Sequence, residues 1–129
     1  MIGIESQWDN ELANRWASAH GIEIEGADNL CDQAFTCEEN GSPVAIATVV
    51  KAGKIAFFEN FLTAENLTVN QARKAAIILE EMARSFAKKN NCKQLVSLVQ
   101  SKGVLRELEK LGFEQQGSPM AFMTKEVTC

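Results

Sequence analysis

Apolar positions along the chain follow two different periods, and these periods mark out its helices and strands. Residues 1–5 predict a short strand, after which Ser6 and Asp9 indicate the start of a helix. The apolar stripe of this helix, at a spacing of three or four residues, consists of Trp8, Leu12, Trp16 and Ala19. Gly21 ends the helix, and residues 22–30, with several acidic side chains, predict a connector.

Three runs rich in β-branched and aromatic residues follow. They span residues 32–38, 44–50 and 55–62, and short turns rich in glycine and polar residues separate them. Turns this short join antiparallel neighbours, so the sequence predicts a three-stranded meander. In the third strand, strict alternation places Glu59 on one face and Leu62 on the other. Both faces of this strand are largely apolar, which is typical of a central strand covered on both sides.

The strongest helical pattern begins at Thr68, which with Gln71 fits a capping box. The predicted buried stripe consists of Ala75, Ile78, Leu79, Met82, Phe86 and Ala87. The charged side chains of this helix, Glu80 among them, are expected mostly off that stripe, and Asn90-Asn91 ends the helix. Residues 94–99 predict a buried strand, residues 102–111 a helix and residues 120–127 a final strand.

This order of elements predicts an α/β fold with a mixed sheet. An antiparallel meander is followed by a strand–helix–strand unit, which implies helices on both faces of the sheet. We therefore expect residues 94–99 to lie parallel to residues 55–62. No repeat or linker rich in proline and serine divides the chain, so residues 1–129 are expected to form a single domain.

Composition narrows the possible functions. The net charge of -4 gives no reason to expect nucleic acid, which usually binds a basic face. No apolar run approaches the length of about 20 residues that crosses a bilayer, so no membrane association is expected. The four cysteines and one histidine have no metal-site spacing, so we expect no metal, reduced thiols and a cytoplasmic location.

Several short motifs resemble the GNAT superfamily of N-acyltransferases. Residues 108–113, LEKLGF, resemble the late YEKLGF segment of that family, with leucine in place of tyrosine. Gln71, Lys74 and Ala76 occupy the three defined positions of its Q/R-x-x-G-x-G/A cofactor signature. Residues 38–44 resemble the polar turn that leads into the third strand of these enzymes. Together with the order of elements, the resemblance covers nearly the whole chain.

The resemblance implies an acyl-coenzyme A site between the strands at 55–62 and 94–99. Acetyl-coenzyme A is the implied cofactor, with an amine as the acceptor, and Glu59 is the implied catalytic base. The residues implied to bind the cofactor are Leu62, Thr63, Gln71, Ala72, Arg73, Lys74, Ala75, Ala76 and Ser101. Ser101 can equally be a helix N-cap, and Arg73 and Lys74 can equally be a solvated first turn.

Two functions remain open at this point. The first is acetyl transfer from coenzyme A to an amine by direct attack. The second is a catalytically silent binding or structural module of a larger assembly, for example a virion-associated protein, with protein partners or a homo-oligomer. The second is favoured by Lys74 at the middle glycine position and by the absence of tyrosine from the chain. The first is favoured by the frequency of enzymes in the superfamily.

Overall fold

The computed structural model describes residues 1–21, 31–97 and 102–115. Its elements, in chain order, are β1 (Ile2–Ser6), α1 (Asn10–Ala19), β2 (Gln33–Glu39), β3 (Ser42–Ala52), β4 (Ile55–Thr63), α2 (Val69–Lys89), β5 (Gln94–Val96) and α3 (Lys102–Lys110). The chain forms two compact units, residues 1–98 and residues 99–129. The connector expected at 22–30 and the strand expected at 120–127 lie outside the described residues. The single-domain organisation stays a prediction.

The strands form one five-stranded sheet in the order β1-β2-β3-β4-β5. The first four pair antiparallel with their sequence neighbours, which confirms the predicted meander. β4 and β5 are parallel, as predicted, and pair from Ile55–Gln94 to Phe57–Val96. The predicted mixed α/β sheet is therefore confirmed, with α2 as the crossover between its two parallel strands. The expected end of β5, at 98–99, lies outside the described residues.

Turn residues explain why the meander strands are neighbours. Asn40 and Gly41, between β2 and β3, have φ angles of 54° and 81°. Two successive left-handed residues give a hairpin turn whose twist matches that of the flanking strands. Asparagine and glycine adopt this conformation at low cost. The turn sets Glu39 opposite Ser42 and thereby fixes the register of the hairpin.

α2 covers one face of the sheet. The buried cluster between them consists of Phe35, Cys37, Ala45, Ala47, Val49, Ala56 and Phe58 from the strands and Ala75, Leu79, Ala83 and Ala87 from the helix. Close packing against β1 depends on Gly3, because a Cβ there would lie 2.5 Å from Met82 Sδ and 2.6 Å from Ile78 Cγ2. The missing side chain of Gly3 therefore lets the helix lie directly on the strand.

α1 packs on the opposite face, so the prediction of helices on both faces is confirmed. Its buried contacts join Ala13, Trp16 and Ala17 to Ile46 and Leu62, with Trp8 and Leu12 partly buried beside them.

The start and the stripe of α1 differ from the prediction. Asp9 is the N-cap and accepts a hydrogen bond from the Leu12 amide at 3.0 Å. Ser6 instead ends β1, where its hydroxyl lies 2.8 Å from that of Thr36. Ala19, predicted to face the core, is exposed. The helix begins one turn later than the pattern implied because the aspartate carboxylate caps it.

The stripe of α2 is largely as predicted, with one exception. Leu79 is fully buried, but so is most of Glu80, which is only 6% exposed. The Glu80 carboxylate pairs with the Arg84 guanidinium one turn later, at 3.3 Å. Burial raises the pKa of Glu80, and the charge of Arg84 opposes that shift. The expectation that Glu80 lies off the stripe is wrong, because an ion pair along the helix satisfies the buried carboxylate.

α3 confirms the helix predicted at 102–111 and ends in a left-handed glycine, Gly112, with a φ of 96°. The Phe113 amide donates to the Leu108 carbonyl at 3.1 Å, and the Gly112 amide donates to that of Glu109 at 3.0 Å. This bonding satisfies carbonyls that the last helical turn would otherwise leave without donors. The LGF part of the LEKLGF segment is therefore a helix-ending signal.

Candidate active site

The opening that the family resemblance implies would lie between β4 and β5, towards their carboxyl ends. The described pairing of the two strands runs as far as Phe57 and Val96, and β4 continues to Thr63. Just after the last of these pairs, Ser97 Oγ donates to the Phe58 carbonyl at 2.9 Å. In open α/β sheets, ligands bind in crevices outside the carboxyl ends of the strands, so this is where we expect the opening.

A β-bulge interrupts β4 beside this opening. Ile46 lies opposite Leu62, but Thr48 lies opposite Glu59, so three steps along β4 match two along β3. Asn60 has a φ of 58°, which identifies it as the left-handed residue of the bulge.

The bulge places Glu59 and Leu62 on the same face of the sheet. Ile46 and Thr48 share a face because they are two residues apart, and their partners share it too. This is the face covered by α1, since Leu62 packs in the cluster of Trp16. The prediction that Glu59 and Leu62 lie on opposite faces is wrong, because strict alternation assumes an uninterrupted ladder.

Glu59 is half-buried on this face. Phe58 packs in the cluster on the opposite, α2 face, as expected for adjacent residues of a strand. Phe61 is 36% exposed at the surface.

A buried threonine holds the bulge from the neighbouring strand. Thr48 is 0% exposed. Its hydroxyl donates to the Glu59 carbonyl at 3.1 Å and accepts from Asn60 Nδ2 at 3.0 Å. Neither residue was predicted to belong to the site. Asn60 gave a signal that could have been used, since asparagine is disfavoured inside strands but tolerates the left-handed conformation.

The first turn of α2 follows β4 after a short loop, so it lies at the same edge of the sheet as the opening. The predicted capping box is present: the Gln71 amide donates to Thr68 Oγ1 at 3.2 Å, and the Thr68 amide donates to Gln71 Oε1 at 2.9 Å. The Ala72 amide donates to the Thr68 carbonyl at 2.9 Å as the first intrahelical bond. Of the first-turn amides, those of Val69 and Asn70 are therefore left without an intrahelical partner.

Arg73 and Lys74 are both exposed on α2, one turn after these amides. Residues three and four apart are neighbours on a helix surface, so both side chains lie next to Asn70. The positive end of the helix dipole and the two cations favour an anion at this place. The arrangement can bind phosphate with side-chain charge, supported by the first-turn amides.

His20 joins α1 to the end of β4. Its Nε2 lies 3.1 Å from the Thr63 carbonyl and 3.4 Å from the Thr63 hydroxyl. This exposed side chain was not among the predicted site residues, because no local motif signals a bond to a residue so distant in the chain. His20 thereby fixes the carboxyl end of α1 beside the opening.

The remaining predicted site residues lie in different surroundings. Leu62 and Ala75 are buried in the two core clusters, Leu62 on the α1 face and Ala75 on the α2 face. Thr63, Ala72 and Ala76 are partly buried. Ser101 lies outside the described residues, so its choice between cofactor contact and helix cap stays a prediction.

In the part of the chain that the structure describes, no group of three His, Cys, Asp or Glu side chains could hold a metal ion. No helix in the described ranges has the length and apolarity needed to cross a membrane. Cys37 and Cys92 are free thiols, and burial raises the pKa of the Cys37 thiol.

No protein-family model matches the sequence, and no curated protein matches it either. Solved structures do match. A protein from Agrobacterium tumefaciens assigned as an acetyltransferase is 26% identical, with a TM-score of 0.57 over 73% of this chain and 68% of its own. A probable acetyltransferase from meticillin-resistant Staphylococcus aureus is 10% identical, with a TM-score of 0.71 over 97% of this chain and 98% of its own.

A third match is an assigned acetyltransferase from Clostridium acetobutylicum, whose structure contains acetyl-coenzyme A. It is 18% identical, with a TM-score of 0.64 over 95% of this chain and 96% of its own. A further match, from Streptococcus pneumoniae, is described as an acetyltransferase of the GNAT family. The chain therefore has the fold of the GNAT superfamily, and the resemblance read from its sequence is confirmed.

Proposed function

We propose that this chain is an N-acetyltransferase that moves an acetyl group from acetyl-coenzyme A to an amine. The observation that carries the proposal is the parallel pairing of β4 with β5, with the first turn of α2 at the edge of the sheet where β4 ends. Matching structures support it, since one contains acetyl-coenzyme A and another holds a bisubstrate analogue of coenzyme A. We further propose that residues 1–129 work as one domain in a reducing, cytoplasmic compartment, as the free thiols suggest.

The residues around the opening fit such a ligand. Beyond the last described pair with β5, the part of β4 that ends at Leu62 and Thr63 would lie alongside the pantetheine chain. The amides of Val69 and Asn70, with the side chains of Arg73 and Lys74, would hold the phosphates. Because the amides of Gln71 and Ala72 have partners within the helix, the two cations carry more of this contact than the signature implies.

Glu59 would act as the base. Acetyl-coenzyme A supplies a reactive thioester, and a bond forms from the acceptor nitrogen to the acetyl carbon as the carbon–sulfur bond breaks. The Glu59 carboxylate accepts the proton that the ammonium must lose, directly or through water. The chain contains no tyrosine, and Leu108 stands at the position where the family resemblance would place one. The proton for the departing sulfur would therefore come from solvent or from a side chain other than tyrosine.

Thermal unfolding with and without acetyl-coenzyme A tests binding. A ligand that binds only the folded protein raises the melting temperature by mass action, and we expect a small rise here. Arg73→Ala and Lys74→Ala should each reduce the rise and its sensitivity to salt. The reason is that the two cationic side chains supply much of the contact with the phosphates, and salt screens this attraction. Lys88→Ala, an exposed lysine at the other end of α2, is the matched control and should leave the rise unchanged.

Glu59→Gln tests the chemistry. The variant should keep the acetyl-coenzyme A shift but lose about 10²–10⁴-fold in the rate of acetyl transfer to an amine, the usual contribution of a positioned base. A panel of small amines and peptides, assayed by thiol release, would measure that rate. An unchanged rate would exclude Glu59 as the base.

A silent binding module is the second candidate function, and the capping box favours it. The box closes the first turn with side chains of the protein itself, and Lys74 stands where a glycine would let phosphate approach the backbone. For such a module, millimolar acetyl-coenzyme A would leave the melting curve unmoved. Lys74→Gly should make the backbone of the first turn accessible again, at a cost of about 1 kcal/mol in helix propensity. A flat response in both proteins would remove the acetyltransferase proposal.

A further inference from the structure

The bulge network consists of Thr48, Glu59 and Asn60, and it lies in the sheet beside the proposed site. Thr48 is fully buried, as are its strand neighbours Ala47 and Val49. Burying a hydroxyl is unfavourable unless it is hydrogen-bonded, and the Thr48 hydroxyl both donates and accepts. Valine has nearly the same shape and would fill the position without that requirement. The hydroxyl is therefore not needed for packing alone.

The conformation of Asn60 carries a second cost. Its φ of 58° is unfavourable for a residue with a Cβ, even though asparagine tolerates it better than most. Strained backbone of this kind persists only where its surroundings hold it in place, and it often occurs at functional sites. The Asn60 side chain is held by Thr48, and the same hydroxyl holds the Glu59 carbonyl. The buried hydroxyl of Thr48 and the left-handed backbone of Asn60 thus both lie next to Glu59, the residue proposed as the base.

The bulge determines the face on which Glu59 lies. A one-residue change of register moves a side chain to the opposite face of a sheet. In an uninterrupted ladder that kept the Leu62–Ile46 pair, Glu59 would lie on the α2 face, among buried apolar side chains. With the bulge, it lies on the α1 face, where His20 fixes the end of α1 to Thr63. Holding the bulge therefore keeps the carboxylate on the α1 face and out of the apolar cluster under α2.

We propose that Thr48 and Asn60 are positioning residues that fix the direction in which the Glu59 side chain leaves β4. They act on the rate of proton removal and not on the affinity for acetyl-coenzyme A. This inference rests on the proposed function, with Glu59 as the base.

Three variants test the network. Two of them separate the hydrogen bonding of Thr48 from its shape, and the third separates the side-chain amide of Asn60 from its left-handed backbone. Thr48→Val removes only hydrogen bonding, Thr48→Ser keeps the hydroxyl, and Asn60→Gly keeps the left-handed conformation but lacks the amide. Thr36→Val is the matched control, since it removes a strand hydroxyl that bonds to Ser6 instead of to the bulge. Urea unfolding of each variant shows which of them are folded under the assay conditions.

We expect the variants of the network to lower kcat and to leave KM for acetyl-coenzyme A nearly unchanged. Thr48→Val and Asn60→Gly should lower kcat by about tenfold or more, since small displacements of reacting groups can cost as much as 10²-fold. KM for acetyl-coenzyme A should stay within about twofold, because the phosphate contacts are untouched. Thr48→Ser should restore most of kcat, and Thr36→Val should behave as the parent. Parental kcat in folded Thr48→Val, or a raised KM with unchanged kcat, would overturn the inference.

Backbone amide NMR distinguishes failure of this inference from failure of the proposed function. A parent that neither binds acetyl-coenzyme A nor transfers acetyl refutes the proposed function, and the kinetic role of the network with it. The resonances of Glu59 and Asn60 then still report on the bulge. A large displacement in Thr48→Val but not in Thr36→Val would show that the hydroxyl holds the bulge. Unmoved resonances in both would refute that role as well.

Discussion

Replacing Gly3 with alanine would place a methyl group where α2 already lies. Its Cβ would be 2.5 Å from Met82 Sδ and 2.6 Å from Ile78 Cγ2, against about 3.5–4.0 Å for atoms in normal contact. Met82 can move aside because its side chain is flexible, but the β-branched Ile78 is stiff. The overlap of roughly 1 Å with two side chains must therefore be relieved by shifting α2. Overpacking of this kind costs about 1–3 kcal/mol of the free energy of unfolding.

Urea unfolding followed by circular dichroism measures this cost, and double variants identify its cause. Ile78→Ala removes one of the two clashing atoms, so the loss on Gly3→Ala should be smaller in an Ile78→Ala background than in the parent. Met82→Ala should give the same coupling, but a weaker one. Gln7→Ala, an exposed change just after β1, should stay within about 0.5 kcal/mol of the parent. A Gly3→Ala protein as stable as the parent, with no coupling to either side chain, would refute the close approach of α2 to β1.

Three further predictions concern α2. Leu79→Ala should lower the free energy of unfolding by about 2–5 kcal/mol, because the side chain is fully buried. Lys88→Ala should lower it by less than about 0.5 kcal/mol. Equal losses for the two variants in urea unfolding would show that the buried face of α2 is wrongly assigned. Because burial raises the pKa of Glu80, its contribution to stability is present at low pH and is lost as the pH rises through the folded-state pKa. Glu80→Gln should remove this part of the pH dependence of unfolding, whereas a change at the exposed Glu65 should retain it. Thr68→Ala should lower the stability measured by thermal unfolding by about 1 kcal/mol, because the Gln71 amide loses its acceptor. An unchanged melting temperature would show that Thr68 does not stabilise the start of α2.

The sequence predicted those parts of the fold that depend on local signals. The Asn40-Gly41 turn and the Thr68 capping box act on their own neighbours, so residue type and spacing were enough to find them. Periodicity failed where a distant or charged partner decided the outcome. Glu80 is buried although it is charged, because Arg84 pairs with it one turn away.

The candidate site was harder to predict than the fold. Glu59 could be named from its place on a central strand, but its face depended on a bulge that only the pairing of β3 with β4 reveals. Thr48, Ser97 and His20 act through bonds to residues far away in the chain, and no short motif encodes such bonds. The first turn of α2 was located correctly because its signal, the capping box, is local.

The break in the ladder between β3 and β4 has a consequence for hydrogen exchange. Thr48 pairs with Glu59 and Ile46 pairs with Leu62, so Asn60 and Phe61 have no partner in the register with β3. Proteins open locally in cooperative units, and segments with few bonds open at a low free energy. The amide hydrogens of Asn60 and Phe61 should therefore exchange with solvent before those of Phe57 and Phe58, which lie in the continuous part of the ladder. Hydrogen exchange would thus divide β4 at the bulge, with its first half protected together with β3.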